Sequence, residues 1–451
     1  MSIFLGVTFL IVLLIVTIKY PVVSLVLLLA AGTVKGLLIN RYRVVGFFDP
    51  IVLSVVWVFL MMMYVYVKNP RPLKDIISIP FGLYVLLAAI LLLGLSYTSA
   101  PNYGFAKTWR FATIGFIGFF APIVLVDNLK DIKVVLLIML TVCIMVSVFT
   151  IVAPRAFIIT GGGWERAGFM EMGALGAAIR IAIGALIAFC FAIMPRSSPI
   201  LRILSIVLMP VLLIGIVVTG SRGPLVGLAI SILFALVIYR RYLLRAWPPI
   251  VFIAVIAATS FVFVNLAREK TVRFTQLFRG THEVGLVLRS RTVRWAWTLE
   301  HADENPVFGS GTGAWAYDNG YGDTREYPHN IILESLYEQG LVGAVVLSLF
   351  IFLIFKRWRQ ASKLISLEVV DTETFQIIHV AGLLFLLTFL EAMKTGDISD
   401  NRLMFFSAGL TLAAFNCARY RVGEIYSESG LVTSDLQPLE EGSLQDAQVL
   451  Y

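Results

Sequence analysis

A histidine stands where an apolar helix is expected to begin, in Tyr327-Pro328-His329-Asn330 followed by Ile331-Ile332-Leu333-Glu334-Ser335-Leu336-Tyr337-Glu338. An imidazole titrates near neutrality and can take a proton from a hydroxyl. Asn330, Glu334 and Glu338 follow at steps of four, which puts an amide and two carboxylates on one helix stripe beneath the histidine. The same spacing suits a histidine that only caps and packs a helix start, and spacing alone does not choose between the two. Arginines supply a second kind of chemistry. Arg222 sits in the turn Gly220-Ser221-Arg222-Gly223 between two apolar runs, and Arg180 lies inside the run 173 to 194. Charge beside hydrocarbon is costly and needs a partner or a wet cavity. A guanidinium held there can grip phosphate through two parallel hydrogen bonds; it can equally snorkel to the interface or pair with a carboxylate.

Further arginines and aromatic residues precede the histidine. Ser290-Arg291-Thr292-Val293-Arg294-Trp295-Ala296-Trp297 reads as an amphipathic helix, followed by Asn305-Pro306-Val307-Phe308-Gly309-Ser310-Gly311-Thr312-Gly313. The glycine triplet lacks the strand and crossover of a dinucleotide turn and is expected to be a tight loop near a glycan or headgroup. Trp295, Trp297, Trp315, Tyr317 and Tyr321 suit stacking on sugar faces and an interfacial aromatic belt equally well. No metal or cofactor is expected. His282, His301 and His329 share the loop without ligand spacing, His379 is isolated in an apolar run, and there is no paired-Asp motif.

The elements that must position these residues are set by composition. The chain has 451 residues, 59% hydrophobic and 14% charged, with a mean hydropathy of +0.89. So little charge cannot solvate the surface of a water-soluble fold of this size. The expected fold class is an all-α polytopic membrane protein. Apolar runs at 3 to 18, 21 to 38, 51 to 67, 81 to 97, 111 to 126, 132 to 152, 173 to 194, 201 to 219, 223 to 239, 248 to 265, 331 to 355, 376 to 393 and 403 to 418 predict roughly twelve or thirteen spans. The first run has no basic flank or cleavage site and is expected to stay as a helix. Cys143, Cys190 and Cys417 fall in or beside apolar runs, as packing residues do.

The net charge of +8 does not point to nucleic acid, because the basic residues sit mostly in short connections where they set orientation. Arg196 and Arg202, Arg240, Arg241 and Arg245, and Lys356, Arg357, Arg359 and Lys363 form three basic connections, which belong in the cytoplasm. Parity then puts 266 to 330 outside, together with 153 to 172, the turn 220 to 223, and 394 to 402. Near the N-terminus Lys35, Arg41 and Arg43 violate this count, so one early run is expected to be re-entrant. The expected division is N-terminal spans over 1–265, one large, partly helical periplasmic loop over 266–330, C-terminal spans over 331–420, and a disordered cytoplasmic tail over 421–451.

Taken in order, these motifs resemble the bacterial O-antigen ligase and O-antigen polymerase superfamily. The resemblance rests on Ser290-Arg291 with Trp295, Asn305-Pro306 through Gly309-Ser310-Gly311, and His329-Asn330 through Glu338-Gln339-Gly340-Leu341-Val342-Gly343. Upstream, Thr219-Gly220-Ser221-Arg222-Gly223 and Arg166-Ala167-Gly168 are similar to its Ser-Arg-Gly and Arg-x-Gly segments; Glu171-Met172 stand where the pattern expects an asparagine nearby. The resemblance covers about residues 160 to 350. It implies a GT-C-like, metal-independent, inverting glycosyltransferase of the bacterial inner membrane, with its active face periplasmic. The implied donor is a glycan on undecaprenyl diphosphate, and the acceptor is lipid A core for a ligase or a second lipid-linked glycan for a polymerase. Arg222 and Arg291 would hold the diphosphate and His329 would orient or deprotonate the acceptor. Arg166, Arg180, Arg294, Trp295, Asn330, Glu334 and Glu338 would line the substrate. A lipid-linked oligosaccharide flippase is the alternative from another class; its expected paired broken helices in two similar halves are not visible in the sequence.

Overall fold

Helices form wherever the sequence is apolar for long enough, because a backbone surrounded by hydrocarbon must satisfy its own hydrogen bonds. The computed structural model describes residues 14–42, 49–69, 76–152, 155–159, 164–168, 173–193, 198–240, 282–365, 372–395 and 397–428. The expected span 248 to 265, most of the first run, the loop up to 281 and the tail from 429 lie outside the described residues. Among the described residues six helices are long and apolar enough to cross a membrane: Pro50–Lys68, Pro101–Leu125, Leu129–Val152, Gly173–Ile193, Pro199–Thr219 and Ile331–Leu364. Four shorter apolar helices accompany them, at Pro21–Gly32, Ile79–Gly94, Arg222–Ile238 and Gln376–Ala392. The chain is an all-α polytopic membrane protein.

We number the main helices α1 (Ser24–Tyr42), α2 (Pro50–Lys68), α3 (Ile79–Gly94), α4 (Pro101–Arg110), α5 (Phe116–Leu125), α6 (Leu129–Val152), α7 (Gly173–Ile193), α8 (Pro199–Thr219), α9 (Arg222–Ile238), α10 (His282–His301), α11 (Ile331–Ile365), α12 (Thr372–Ala392) and α13 (Arg402–Glu428). A π turn at Phe111–Gly115 joins α4 to α5. One antiparallel hairpin, β1 (Arg155–Ile159) with β2 (Trp164–Gly168), interrupts the helices and lies against α7 and α8. It falls in the expected connection 153 to 172.

Helix α7 is the inner helix: every residue from Ile181 to Ile193 is buried. Its small side chains allow close approach, with Gly184 facing Cys143 of α6 and Gly215 of α8 facing Ser147. By contrast, α2 and α8 present exposed Val52, Val56, Phe59, Ile203 and Val207, an outward apolar surface suited to lipid. A second core lies under the polar end. Tyr84 of α3 is stacked between Phe111 and Phe119, with centroids 4.6 and 4.9 Å away, and meets Phe405 of α13 edge-on at 5.2 Å.

The bundle has two chemically distinct ends. At one, Tyr239 at the end of α9 donates to the Gln376 carbonyl (3.4 Å), and Trp358 donates to His379 Nδ1 (3.3 Å); this end carries Lys356, Arg357 and Arg359. At the other, α8 hands over to α9, α11 begins and α12 ends, so the candidate residues are gathered there. Two elements differ from expectation. Helix α11 is broken at Gly340, and α13 runs on to Glu428, beyond residue 420.

Candidate active site

The segment before α11 is strapped onto α10. Arg294 donates to a Glu326 carboxylate oxygen (2.8 Å) and to the Tyr327 carbonyl (2.9 Å), and Trp295 Nε1 donates to the Pro328 carbonyl (2.9 Å). The Arg294 guanidinium also lies over the rings of Trp315 and Tyr321, 5.4 and 5.1 Å from their centroids. Trp315 is fully buried; it and Tyr321 build the scaffold that fixes Arg294, whereas Tyr317 remains exposed.

From this strap the chain must turn sharply into α11. His329 makes the turn with φ 61°, the only non-glycine residue at positive φ among the described residues, a conformation that costs of order 1–3 kcal/mol and persists where its surroundings enforce it. Asn330 then caps the helix, its side-chain oxygen accepting from the Ile332 and Leu333 amides (3.0 and 3.1 Å). The His329 ring stands edge-on to Tyr327 at 4.7 Å. Its Nδ1 is shielded from solvent and has no hydrogen-bond partner among the described residues. Burial, with Arg294 and Arg291 as positive neighbours, pushes its pKa down to about 4 against a smaller upward pull from Glu326. At neutral pH the imidazole is uncharged.

Arg291, half-buried, faces the end of α12. Burial works against its charge and the Glu391 carboxylate supports it. Glu391 pairs with Lys394 (2.8 Å), and Lys394 donates to the Gly223 carbonyl (2.6 Å) at the start of α9. Gly220 closes α8 in the left-handed conformation, and Ser221 and half-buried Arg222 open α9. The Arg222 turn, Lys394, Glu391 and Arg291 are thus linked neighbour to neighbour, and Arg291 is within electrostatic reach of His329.

Glu334 and Glu338 face elsewhere. Both are buried against Lys107 of α4, whose ammonium pairs with Glu334 and lies 2.6–2.8 Å from the Glu338 oxygens. The Glu338 carboxylate also accepts from the Gly313 amide (2.9 Å). Tyr103 donates to Asp397 in the same cluster. Burial alone would raise the Asp397 carboxyl, but Lys107 and the Tyr103 and Ser399 hydroxyls hold it below its usual range. Sequence reasoning missed Lys107 and Asp397. A signal existed for the first: Lys107 and Arg110 are the only charged residues between 76 and 126, and carboxylates at a helix start inside an apolar fold require a cation.

Arg180 sits deeper, donating to the Gly176 carbonyl (3.3 Å) of its own helix. Arg166 lies on β2, its backbone opposite Phe157. The structure thus brings His329, Arg291, Arg294, Trp295 and Asn330 together and links the Arg222 turn to Arg291 through Lys394 and Glu391. It assigns the two glutamates to a neighbouring ion cluster and sets Arg180 apart. No group of three metal-ligating side chains occurs among the described residues.

A helical bundle of this kind, with the candidate residues gathered at the end where α11 begins, defines a multi-pass membrane protein. A protein-family model described as O-antigen ligase matches residues 207–348, a stretch that includes Arg222, Arg291 and His329. That match relates residues 207–348 to the O-antigen ligase and polymerase superfamily. No curated protein matches the chain.

Proposed function

We propose that the protein is a GT-C-like glycosyltransferase of the bacterial inner membrane, its site on the periplasmic face. It would transfer a glycan en bloc from undecaprenyl diphosphate to an acceptor hydroxyl, as an O-antigen ligase does to lipid A core. The observation that carries this reading is an uncharged His329, held in a left-handed turn within electrostatic reach of Arg291 and Arg294. A base and cations side by side suit a reaction in which a hydroxyl loses a proton while a diphosphate leaves.

In the proposed step the acceptor oxygen attacks the anomeric carbon, and the bond from that carbon to the diphosphate oxygen breaks. The hydroxyl proton passes to His329. Undecaprenyl diphosphate departs with the bonding electrons, and its charge is met by Arg222 and Arg291; attack opposite the leaving group inverts the anomeric centre. The guanidiniums supply the positive charge, and no metal is invoked. Polymerisation, with a second lipid-linked glycan as acceptor, uses the same chemistry.

The test is purified protein in liposomes with undecaprenyl-diphosphate glycan and either lipid A core or a second lipid-linked glycan, following released undecaprenyl diphosphate and product length. A single shift of the core band identifies a ligase and a growing ladder a polymerase. His329→Ala is expected to abolish transfer and spare donor binding. Arg222→Lys and Arg291→Lys, which keep charge but lose the fork, are expected to slow it strongly. Movement of donor across the bilayer without release of undecaprenyl diphosphate would replace this reading with a flippase.

A further inference from the structure

A second group of arginines lies beside the first and has no role in the step above. Arg110 ends α4, Arg402 opens α13, Arg180 lies on α7, and Arg325 stands at the edge of the group. The Phe111 and Phe405 rings, 5.3 Å apart, fix the end of α4 to the start of α13, so Arg110 and Arg402 are neighbours by packing. Arg402 is also within electrostatic reach of Arg180, Arg110 and Arg325.

These cations are poorly compensated. Arg110 Nη1 and Arg402 Nε are shielded from solvent with no hydrogen-bond partner among the described residues. Two carboxylates are near. Asp400 pairs with Arg325, and Asp397 is occupied by Tyr103, Ser399 and Lys107. Like charges gathered away from water with donors unused are costly unless an anion joins them. The unused N–H groups of Arg110 and Arg402, on two helices, suit phosphate oxygens, and Arg180, bonded to the Gly176 carbonyl, adds positive charge within reach of Arg402.

The group also lies next to the candidate site. Tyr327, whose ring touches His329, is within electrostatic reach of Asp400, Asp397 and Arg325.

We propose that Arg110, Arg180 and Arg402 form a second phosphate-binding site, which holds the phosphate-bearing acceptor lipid while the Arg222 and Arg291 side holds the donor. The acceptor role rests on the glycosyltransferase reading; the binding of phosphate does not.

The experiment uses the full chain in phosphatidylcholine vesicles with radiolabelled pyrophosphate as the probe. Wild type is expected to bind two equivalents. Arg110→Gln/Arg402→Gln is expected to lose one and keep the other, and Arg222→Lys/Arg291→Lys to weaken the other alone. Asp400→Asn, which frees Arg325, is expected to tighten the second equivalent several-fold, a gain that misfolding cannot produce. In the transfer assay Arg402→Gln should raise KM for the acceptor about tenfold with the donor KM unchanged. One equivalent in wild type, unaffected by the Arg110/Arg402 change or by Asp400→Asn, overturns the site. A rise in donor KM instead moves it to the donor and overturns the acceptor role, as does loss of the second equivalent to competing headgroups in phosphatidylglycerol vesicles. Two equivalents without any transfer leave the site standing and overturn the glycosyltransferase reading alone.

Discussion

His329 combines two constraints that one side chain rarely carries. Its backbone is held left-handed by the strap on α10 and the Asn330 cap, and its imidazole is kept neutral by burial and by Arg294 and Arg291. A base with so low a pKa is weak, and burial is the larger cause, but the part due to the arginines can be relieved by substrate. A diphosphate docked among these guanidiniums would cancel the positive charge that disfavours the imidazolium, so the proposed donor makes the base stronger as it binds. The sign gives a pH signature. In kcat/KM for the donor, which reports the free enzyme, the acid limb is expected near pH 4; in kcat it should lie higher. Arg294→Gln removes a positive neighbour, favours the imidazolium and should move the kcat/KM limb upward toward that of an ordinary imidazole. An acid limb near pH 6.5 in wild type, or one that does not move in the variant, would count against this account.

At the scale of elements, the site depends on a break in α11. Gly340 adopts φ 65°, ψ −163°, a region essentially reserved for glycine, and a Cβ there would run into the Val307 carbonyl. The break lets the loop 305–313 cross the helix, with the Pro306 and Val307 carbonyls accepting from the Leu341 and Val342 amides (2.8 and 3.2 Å). Those bonds satisfy donors that a fresh helix start leaves open. Gly340→Ala is expected to cost roughly 1–3 kcal/mol from the backbone alone, before the clash, and to lower both the detergent melting temperature and the transfer rate. The Lys107 cluster ties the first part of α11 to α4. Lys107→Met strands two buried carboxylates and should destabilise by about 3–5 kcal/mol, whereas Tyr317→Ala, at an exposed ring, should leave the melting temperature unchanged. Equal melting of Lys107→Met and wild type would show that the cluster does not hold these helices together.

For the whole molecule, segregation of the chain into a basic end and a site-bearing end predicts a single orientation. With the three basic connections in the cytoplasm, as the positive-inside rule expects, the proposed site would lie on the far side. Cys143, Cys190 and Cys417 are buried and form no disulfide, so a cysteine introduced at exposed Glu304 can be read with little background. Glu304→Cys should label with a membrane-impermeant maleimide in intact spheroplasts. Labelling that requires disruption of the inner membrane would invert the topology and remove the periplasmic assignment. The family match spans 207–348, yet Lys107, Arg110, Asp397 and Arg402 lie outside it. The polar end is thus completed by helices from both flanks of the matched stretch.

Apolar length and charge scarcity were enough to define a polytopic helical protein, because the cost of exposing backbone and apolar surface leaves few alternatives. Local sequence was also enough to single out His329 and Arg222, since a histidine at a helix start and arginine beside hydrocarbon stand out against an apolar chain; Arg291 was reached only through the resemblance. Partner choice was not legible. Glu334 and Glu338 share a stripe with Asn330, but their direction was decided by Lys107, more than two hundred residues earlier in the chain. Arg294 and Trp295 also clamp Glu326–Pro328 to α10, a positioning contact that the sequence did not reveal. The α4 segment and the β1–β2 hairpin were missed because neither is a run of hydrocarbon length. Long-range ion pairs and like-charge clusters such as Arg110 with Arg402 arise from how helices dock, and only the tertiary structure decides which charges meet.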